Sequence, residues 1–168
     1  LYNTVLAGMA ADGKSFFYVN PLEVYPKACH EDARKFHVKP IRQKWFGCAC
    51  CPPNIARLLS SLAMYAYTEN EDTLFAHLFV GGSVKKDVNG KELSFEVTTD
   101  MPWQGTTVYS CTNEQSVHGS LAIRIPEWSR SFKVRGVTGE LDENSAQLRD
   151  GYLYITHDWK KGDTVRLE

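Results

Sequence analysis

Three cysteines occupy four positions directly ahead of two prolines, in the stretch KWFGCACCPPNIARLL at residues 44–59. Cys48, Cys50 and Cys51 could form disulfides, bind a metal ion or supply a nucleophile. A bridge between the neighbours Cys50 and Cys51 would be strained, and an odd total of five cysteines does not suit a disulfide framework. Reduced thiols or metal ligation are the better interpretations of the cluster.

The residues after the cluster predict a helix that would favour ionised thiols. Pro52 and Pro53 suit a first helical turn, and apolar residues follow at helical spacing from Ile55 to Ala66. The free N–H groups at the start of a helix, and the positive end of its dipole, lower the pKa of a thiol placed just before it. Such a thiolate would be both a better nucleophile and a better metal ligand.

The sequence offers only part of a metal site. Zinc typically takes four ligands, and Cys-x-Cys-Cys can supply two or three of them. No second Cys-x-x-Cys is present, so Cys29 and either His30 or His37 are the local candidates for the remainder. Spacing alone leaves a metal site, a reactive thiol and buried or incidental cysteines open. Cys111 falls in a predicted strand, and we assign it to the core.

Composition indicates a globular chain without a basic field. The chain has 168 residues, 43% hydrophobic content and a formal net charge of −1, so nucleic acid and anionic lipid are not expected partners. No apolar run approaches the roughly 20 residues of a membrane span. The opening LYNTVLAGMAADG lacks the features of a signal peptide and reads as the middle of an amphipathic helix. We therefore expect a piece of a longer protein.

The hydrophobic periodicity changes near residue 72. Residues 1–72 mix helix and loop, with a surface loop predicted over residues 27–44. From residue 73 onward, short alternating runs predict seven or eight strands, and Asn89-Gly90 predicts a type I′ hairpin turn between two of them. The predicted fold is a helical segment joined to an antiparallel β-sandwich over residues 73–168.

A family resemblance adds to this interpretation. The string FGCACCPPNIARLL, with LYNTVLAG and DGKSFFYVNPLE before it and RIPEW, DGYLYIT and GDTV after it, resembles glycoside hydrolase family 127. The similarity runs over essentially the whole chain in the right order. The best-known activity of that family is β-L-arabinofuranosidase, and its (α/α)6 barrel catalytic domain is followed by β-sandwich domains. The resemblance implies that residues 1–72 end the barrel and residues 73–168 form the first sandwich.

The resemblance also implies a mechanism. In such enzymes a Glu and three Cys hold zinc, and Cys50 and Cys51 match two of these ligands. Cys50 would attack the anomeric carbon, and water would hydrolyse the resulting thioglycosyl intermediate with retention. The other ligands and the acid/base Glu lie upstream of the pair in that family, and neither Glu23 nor Glu31 matches them. We expect this chain alone to be inactive, with weak or absent zinc binding. We expect Cys48 to pack against its neighbours or to support the metal ligands, rather than to bind the metal itself.

Other residues are weaker candidates. Trp45 is a candidate sugar contact because it lies three residues before the cysteine cluster. His37 could bind sugar hydroxyls, although a solvated loop position is the ordinary role of such a histidine. Trp103, Trp128 and Trp159 sit beside turn residues, and we expect them to pack at the core or rim of the sandwich.

Two classes of function follow. The first is a part of a zinc-dependent cysteine glycosidase that acts on L-arabinose-containing oligosaccharides or glycans of plants. The second is a non-catalytic carbohydrate-binding or structural sandwich module with structural cysteines. An apolar surface left exposed on residues 1–72 should drive self-association. The compartment is not fixed by the sequence, although reduced cysteines fit a cytoplasm.

Overall fold

The chain divides into two compact units, Leu1–Leu62 and Ala63–Glu168. The computed structural model describes residues 4–19, 23–32, 34, 38–48, 52–136 and 146–168. The side chain of Pro52 lies outside the described part of the chain.

The described part of the first unit contains short helices and two isolated antiparallel bridges, one between Met9 and Phe16 and one between Phe16 and Gln43. Its helices are α1 (Val5–Gly8), α2 (Pro26–Glu31) and α3 (Pro52–Ser60). The predicted surface loop over 27–44 is wrong in its first residues, because α2 begins at Pro26. A proline at the first position and the i,i+4 pair of Lys27 and Glu31, 3.8 Å apart, favour this helix. These short helices do not test the predicted barrel, which stays a prediction.

The single helix predicted over residues 52–66 is interrupted at Ser61. Helix α3 ends at Ser60, and α4 (Leu62–Ala66) follows. The Ser61 hydroxyl donates to the carbonyl oxygens of Arg57 at 2.9 Å and of Leu58 at 3.2 Å. A serine hydroxyl that bonds to the preceding turn in this way competes with the regular backbone bonds of a helix. Among the described residues, no helix has the length and apolar character needed to cross a membrane.

The second unit contains ten strands in two sheets of five. The first sheet has, in spatial order, β1 (Tyr67–Glu69), β2 (Thr73–Ala76), β6 (Val117–Arg124), β9 (Tyr152–Trp159) and β8 (Ala146–Arg149). The second sheet has β3 (Gly82–Val88), β4 (Lys91–Thr99), β5 (Thr107–Cys111), β10 (Thr164–Leu167) and β7 (Val134–Gly136). The two sheets confirm a sandwich-like domain.

The alternating pattern of the sequence predicts a wholly antiparallel sandwich, and one pair of strands departs from this prediction. Strands β2 and β6 run parallel, with Thr73 opposite Ser120 and Ala76 opposite Ile123, whereas the other described pairs are antiparallel. The chain leaves β2, forms β3, β4 and β5 in the second sheet, and then returns to the first. Such a crossover can bring a strand back in the same direction, which a two-residue hairpin cannot.

The core lies between the inner faces of the two sheets. Side chains alternate between the two faces of a strand, so β4 places Phe95 and Val97 inward. In the same way β9 places Ile155 and Trp159 inward. The rings of Phe95 and Trp159 meet edge to face, with their centroids 5.0 Å apart, and so join the two sheets. The buried core also includes Leu74, Ala76, Val88, Leu93, Tyr109, Cys111, Val117, Leu121, Ile123, Ile125, Leu153, Val165 and Leu167.

The hairpin predicted from Asn89-Gly90 is confirmed. Val88 and Lys91 are the last pair of the β3–β4 register, so a two-residue loop connects the strands. Both loop residues have positive φ, 53° at Asn89 and 79° at Gly90, as a type I′ turn requires. The Gly90 N–H also donates to the Asp87 carboxylate at 3.0 Å.

Candidate functional site

The structure describes the segments on either side of the predicted pair of site cysteines. Cys50, Cys51 and the candidate sugar contact His37 lie outside the described residues. Trp45 and Cys48 are described, as is the helix that begins at Pro52. The site is therefore built from the two segments that flank the pair.

The segment before the cysteines is held against the start of the chain. The N–H of Gln43 donates to the Phe16 carbonyl at 2.9 Å, and the N–H of Phe16 donates to the Gln43 carbonyl at 3.1 Å. The Phe46 ring packs against the rings of Phe16 and Tyr18, with centroids 5.4 and 5.2 Å away. These contacts fix the segment that leads into the cysteine cluster.

A second contact reinforces this placement. The Arg42 guanidinium lies over the Phe17 ring, 4.7 Å from its centroid, and also donates to the Ala7 carbonyl. Phe17 is the buried aromatic side chain of this unit among the described residues. The residues just before the cluster thus gain both aromatic and hydrogen-bonded anchors.

The helix after the cysteines presents a positive but partly depleted N-terminus. Pro52 and Pro53 have no N–H, so Asn54 carries the free backbone donor that remains in the first turn of α3. No acidic residue lies in that first turn to offset the helix dipole. The Asn54 side chain is engaged with Arg57, whose guanidinium donates to it at 3.0 Å. Electrostatics at this end of the helix favour an anion, including a thiolate.

Both flanking segments line one cavity of about 360 Å³. Trp45, Phe46 and Cys48 contribute from the segment before the pair, and Pro53 and Ile55 from α3. Met9, Gly13, Phe16, Ala56 and Leu59 complete the lining. The lining is largely apolar and aromatic, which suits the C–H face of a sugar ring, and the described residues contribute no carboxylate to it.

Trp45 and Cys48 are accessible at this cavity. Trp45 is 80% exposed, so it is not a core residue of this unit, and its role as a sugar contact stays a prediction. Cys48 is also exposed, as a free thiol. This exposure contradicts a buried packing role for Cys48, whereas its alternative role in supporting the metal ligands stays a prediction.

The described residues do not contain a complete metal site. No group of three or more His, Cys, Asp or Glu side chains lies close enough to share an ion within the part of the chain that the structure describes. Cys29 is half-buried in α2, and His30 is exposed beside it. The donors of the cluster fit zinc in kind, because thiolate sulfur is one of its preferred ligands. Cys50 and Cys51 would be the residues of this chain that hold it.

The remaining cysteine behaves as predicted. Cys111 is buried in β5 of the second unit. Burial raises the pKa of the Cys111 thiol. A backbone hydrogen bond from Asn113 lowers this pKa in part, and the negative charge of Asp163 raises it further. A protonated, enclosed thiol is a poor nucleophile and a poor metal ligand. Cys111 is therefore a core residue.

The three tryptophans of the sandwich do not share one role. Trp159 is 1% exposed, as predicted, because it lies at an inward position of β9. Trp103 and Trp128 are 83% and 75% exposed, so a core position is wrong for both. Trp128 lines a cavity together with Ile125 and Phe132, which leaves its predicted rim position standing. Turn residues beside a tryptophan do not distinguish an indole folded back on the core from one directed outward.

Comparison with known proteins identifies similar sequences and structures. The family model "Beta-L-arabinofuranosidase, GH127 catalytic domain" matches residues 1–64, and "Beta-L-arabinofuranosidase, GH127 middle domain" matches residues 73–168. A non-reducing end beta-L-arabinofuranosidase of Bifidobacterium longum subsp. longum is 36% identical over 172 residues, covering 99% of this chain and 25% of the relative. This chain thus spans about a quarter of the length of that relative.

Solved structures give the same grouping. A GH127 beta-L-arabinofuranosidase from Geobacillus stearothermophilus T6 is 45% identical, with a TM-score of 0.78, over 99% of this chain and 26% of that one. A second structure, described as a GH127 beta-arabinofuranosidase, is 29% identical with a TM-score of 0.73, over 99% of this chain and 26% of that one.

Proposed function

Because the chain belongs to glycoside hydrolase family 127, we propose that the full-length protein carrying it is a retaining glycosidase that hydrolyses β-L-arabinofuranosides of plant glycans. The printed names of its relatives in Bifidobacterium longum and Geobacillus stearothermophilus support this substrate class. A match to the catalytic-domain model over residues 1–64 favours an enzyme over a non-catalytic sandwich module.

The single observation that carries the proposal is the cavity that the segments on both sides of the cysteine pair line together. Trp45 and Cys48 before the pair, and Pro53 and Ile55 after it, line the same space of about 360 Å³. An aromatic and apolar wall next to a nucleophile can hold a sugar ring by its C–H face. Trp45 contributes an exposed indole to that wall, and His37 is proposed to hydrogen-bond the sugar hydroxyls.

Cys50 is the proposed nucleophile. Its thiolate attacks the anomeric carbon, a carbon–sulfur bond forms, and the bond to the leaving oxygen breaks. A general acid protonates that oxygen. The same group then takes a proton from water, which attacks the anomeric carbon and releases the Cys50 thiolate. Two inversions give net retention.

The start of α3 supports the anionic form of this thiol. The Asn54 N–H and the positive end of the helix dipole stabilise negative charge just ahead of Pro52. Zinc, when bound to Cys50 and Cys51, would keep the thiolates deprotonated and fix their orientation, at some cost in nucleophilicity. The acid/base Glu and the remaining ligands are proposed to come from other parts of the full-length protein.

The test is replacement of Cys50 in the full-length protein. We expect Cys50→Ser to lower kcat/KM on a chromogenic β-L-arabinofuranoside by about a thousandfold or more, because an alcohol is a far weaker nucleophile near neutral pH. Cys111→Ala is the matched control, since that thiol is buried in the sandwich core. It should keep near-normal kcat/KM in the folded fraction of the protein.

A covalent readout separates nucleophilic attack from a structural role. A slowly released substrate should leave one glycosyl unit on the peptide that contains Cys50, detected by mass spectrometry after digestion. Activity that survives Cys50→Ser, or an adduct on a different residue, would remove this assignment. We also expect the isolated 168-residue chain not to turn over substrate, and efficient hydrolysis by it would contradict the placement of the acid/base Glu elsewhere.

A further inference from the structure

One exposed indole of the sandwich lines a cavity, and a second exposed indole belongs to a loop that also contributes to its lining. Trp103 belongs to the loop between β4 and β5, and Trp128 to the loop between β6 and β7; the two side chains are 83% and 75% exposed. Met101 and Gly105 of the first loop and Pro126 of the second line the same cavity, as does Trp128 itself. Large exposed aromatic surfaces beside a concave site are typical of recognition surfaces.

The cavity has the size of a single ring. Its volume is about 190 Å³, whereas a cavity of ~150 Å³ is enough to hold benzene. Phe79, Ile125, Phe132 and Leu167 give it an apolar floor. It is thus too small for a helix or a folded domain, and large enough for one five- or six-membered ring.

Polar groups complete the lining on one side. Ser129, Ser131 and Glu168 line the cavity together with the apolar floor. The backbone of Glu168 is paired with Lys133 in both directions, at 2.8 and 2.9 Å, which fixes where its side chain begins. The Ser129 hydroxyl donates to the Ser131 carbonyl at 3.1 Å, and its oxygen remains able to accept a hydrogen bond.

The Glu168 carboxylate is held ionised at this edge. The Arg166 guanidinium donates from Nε to Oε1 of Glu168 at 2.6 Å. This bond lowers the pKa of Glu168, partial burial opposes the change, and the charges of Arg166, Arg135 and Lys133 lower the pKa further. A carboxylate can accept several hydrogen bonds, so Glu168 can still accept from ligand hydroxyls while it is paired with Arg166.

We infer that this cavity, with the Trp128 indole in its lining, binds one sugar residue of a glycan chain. A sugar ring has an apolar C–H face, which the indole and the apolar floor can cover, and hydroxyl edges, which Glu168 and Ser129 can bind. An apolar protein segment would use the floor and the indole, but would leave the Glu168 carboxylate without ligand donors. The class of ligand rests on the proposed function, since that function brings the protein to glycans.

The test is calorimetric titration of the full-length protein with L-arabinose and with a short arabino-oligosaccharide. The Cys50→Ser background prevents turnover during the titration. We expect Trp128→Ala to weaken binding at the sandwich site by about tenfold or more, and Trp103→Ala to weaken it less, because Trp128 lines the cavity itself. Trp128→Phe should recover most of the lost affinity, since it keeps an aromatic face.

Leu148→Ala is the matched control. Leu148 is also an exposed apolar side chain, but it lies on β8, at the edge of the first sheet, and does not line the cavity. It should leave the affinity unchanged. The variants should melt at the same temperature as the parent, because the removed side chains are exposed. A loss of affinity in a variant that melts normally therefore reports on the site.

Two results would overturn the inference. One is saccharide binding that neither Trp128→Ala nor Trp103→Ala changes in proteins that melt normally. The other is no saccharide binding at this site, together with a change of self-association in the same variants, which would make the surface a protein contact. Hydrolysis of a chromogenic arabinofuranoside by the parent tests the proposed function separately. Trp128-dependent saccharide binding without any hydrolysis would leave this site standing and remove the proposed activity.

Discussion

His77 lies between two hydroxyl groups on the outer face of the first sheet. Its Nδ1 is 2.7 Å from the Tyr152 hydroxyl, and its Nε2 is 2.6 Å from the Thr68 hydroxyl. The Phe75 ring stacks beside it, with centroids 6.2 Å apart and planes at 11°. Burial lowers the pKa of His77 from its ordinary value of 6.5, and the positive charge of Arg124 lowers it further.

This lowered pKa predicts a pH dependence of stability. The unfolded chain takes up a proton on His77 near pH 6.5, whereas the folded chain resists protonation until a lower pH. The unfolded state therefore binds more protons in that window, and the free energy of unfolding falls as pH drops from about 7 toward about 5. His77→Gln should reduce this fall, as measured by denaturant unfolding at several pH values.

A direct titration checks the cause. We expect the His77 ring protons to titrate with a midpoint below 6.5 by NMR, and Arg124→Gln to raise that midpoint by removing a like charge. A midpoint at or above 6.5 would contradict the predicted direction. So would an unchanged pH dependence of unfolding in His77→Gln.

Asn113 links the two sheets at the level of elements. It is buried, its Oδ1 accepts from the Ser94 N–H of β4 at 2.7 Å, and its Nδ2 donates to the Trp159 carbonyl of β9 at 3.2 Å. One side chain thus satisfies a backbone donor in the second sheet and a backbone acceptor in the first. Buried backbone groups of this kind are costly to leave unpaired.

We expect Asn113→Ala to lower the free energy of unfolding by about 2–4 kcal/mol, because it leaves both backbone groups unpaired in the core. Gln115→Ala is the control, since Gln115 is an exposed polar residue of the same β5–β6 connection. It should change the stability by less than about 0.5 kcal/mol. Equal effects of the two substitutions in urea unfolding would show that Asn113 does not link the sheets.

The element scale also shows how far the sequence could predict the fold. Alternating runs after Thr73 and the Asn89-Gly90 turn predict the strands and the hairpin, because both depend on residues near in sequence. The direction of β6 relative to β2 depends on where the chain returns after three strands of the other sheet, which no local pattern encodes. The short strands β1 and β8 add too few residues for their alternation to be recognised.

At the scale of the whole molecule, the candidate site was predictable in composition and not in geometry. The cysteine cluster and Pro52-Pro53 are adjacent in sequence, so their chemistry could be inferred directly. The cavity that Trp45 shares with Phe16 and α3 requires segments about thirty residues apart to meet. The outward placement of Trp103 and Trp128 likewise depends on loop conformation, which turn residues alone do not determine.

Exposed apolar side chains predict association of the isolated 168-residue chain. Leu59, Met64 and Tyr65 are exposed along α3 and α4, and a formal net charge of −1 provides little repulsion between copies. We expect the weight-average mass in sedimentation equilibrium to rise with concentration. The double substitution Met64→Lys and Tyr65→Lys should shift the mass toward the monomer, because it removes apolar surface and adds charge.

Charge and apolar surface are separated by a second double variant. Gln104→Lys and Gln115→Lys add the same charge at exposed polar positions of the sandwich. If apolar contact drives association, this pair should leave most of the association intact, while the helix pair abolishes most of it. Equal effects of the two pairs would assign the association to general charge attraction or repulsion, and a monomeric mass at every concentration would contradict association altogether. If the two pairs have equal effects on the weight-average mass, the apolar side chains of α3 and α4 have no role in the contact, because their removal lowers the mass no more than the added charge does.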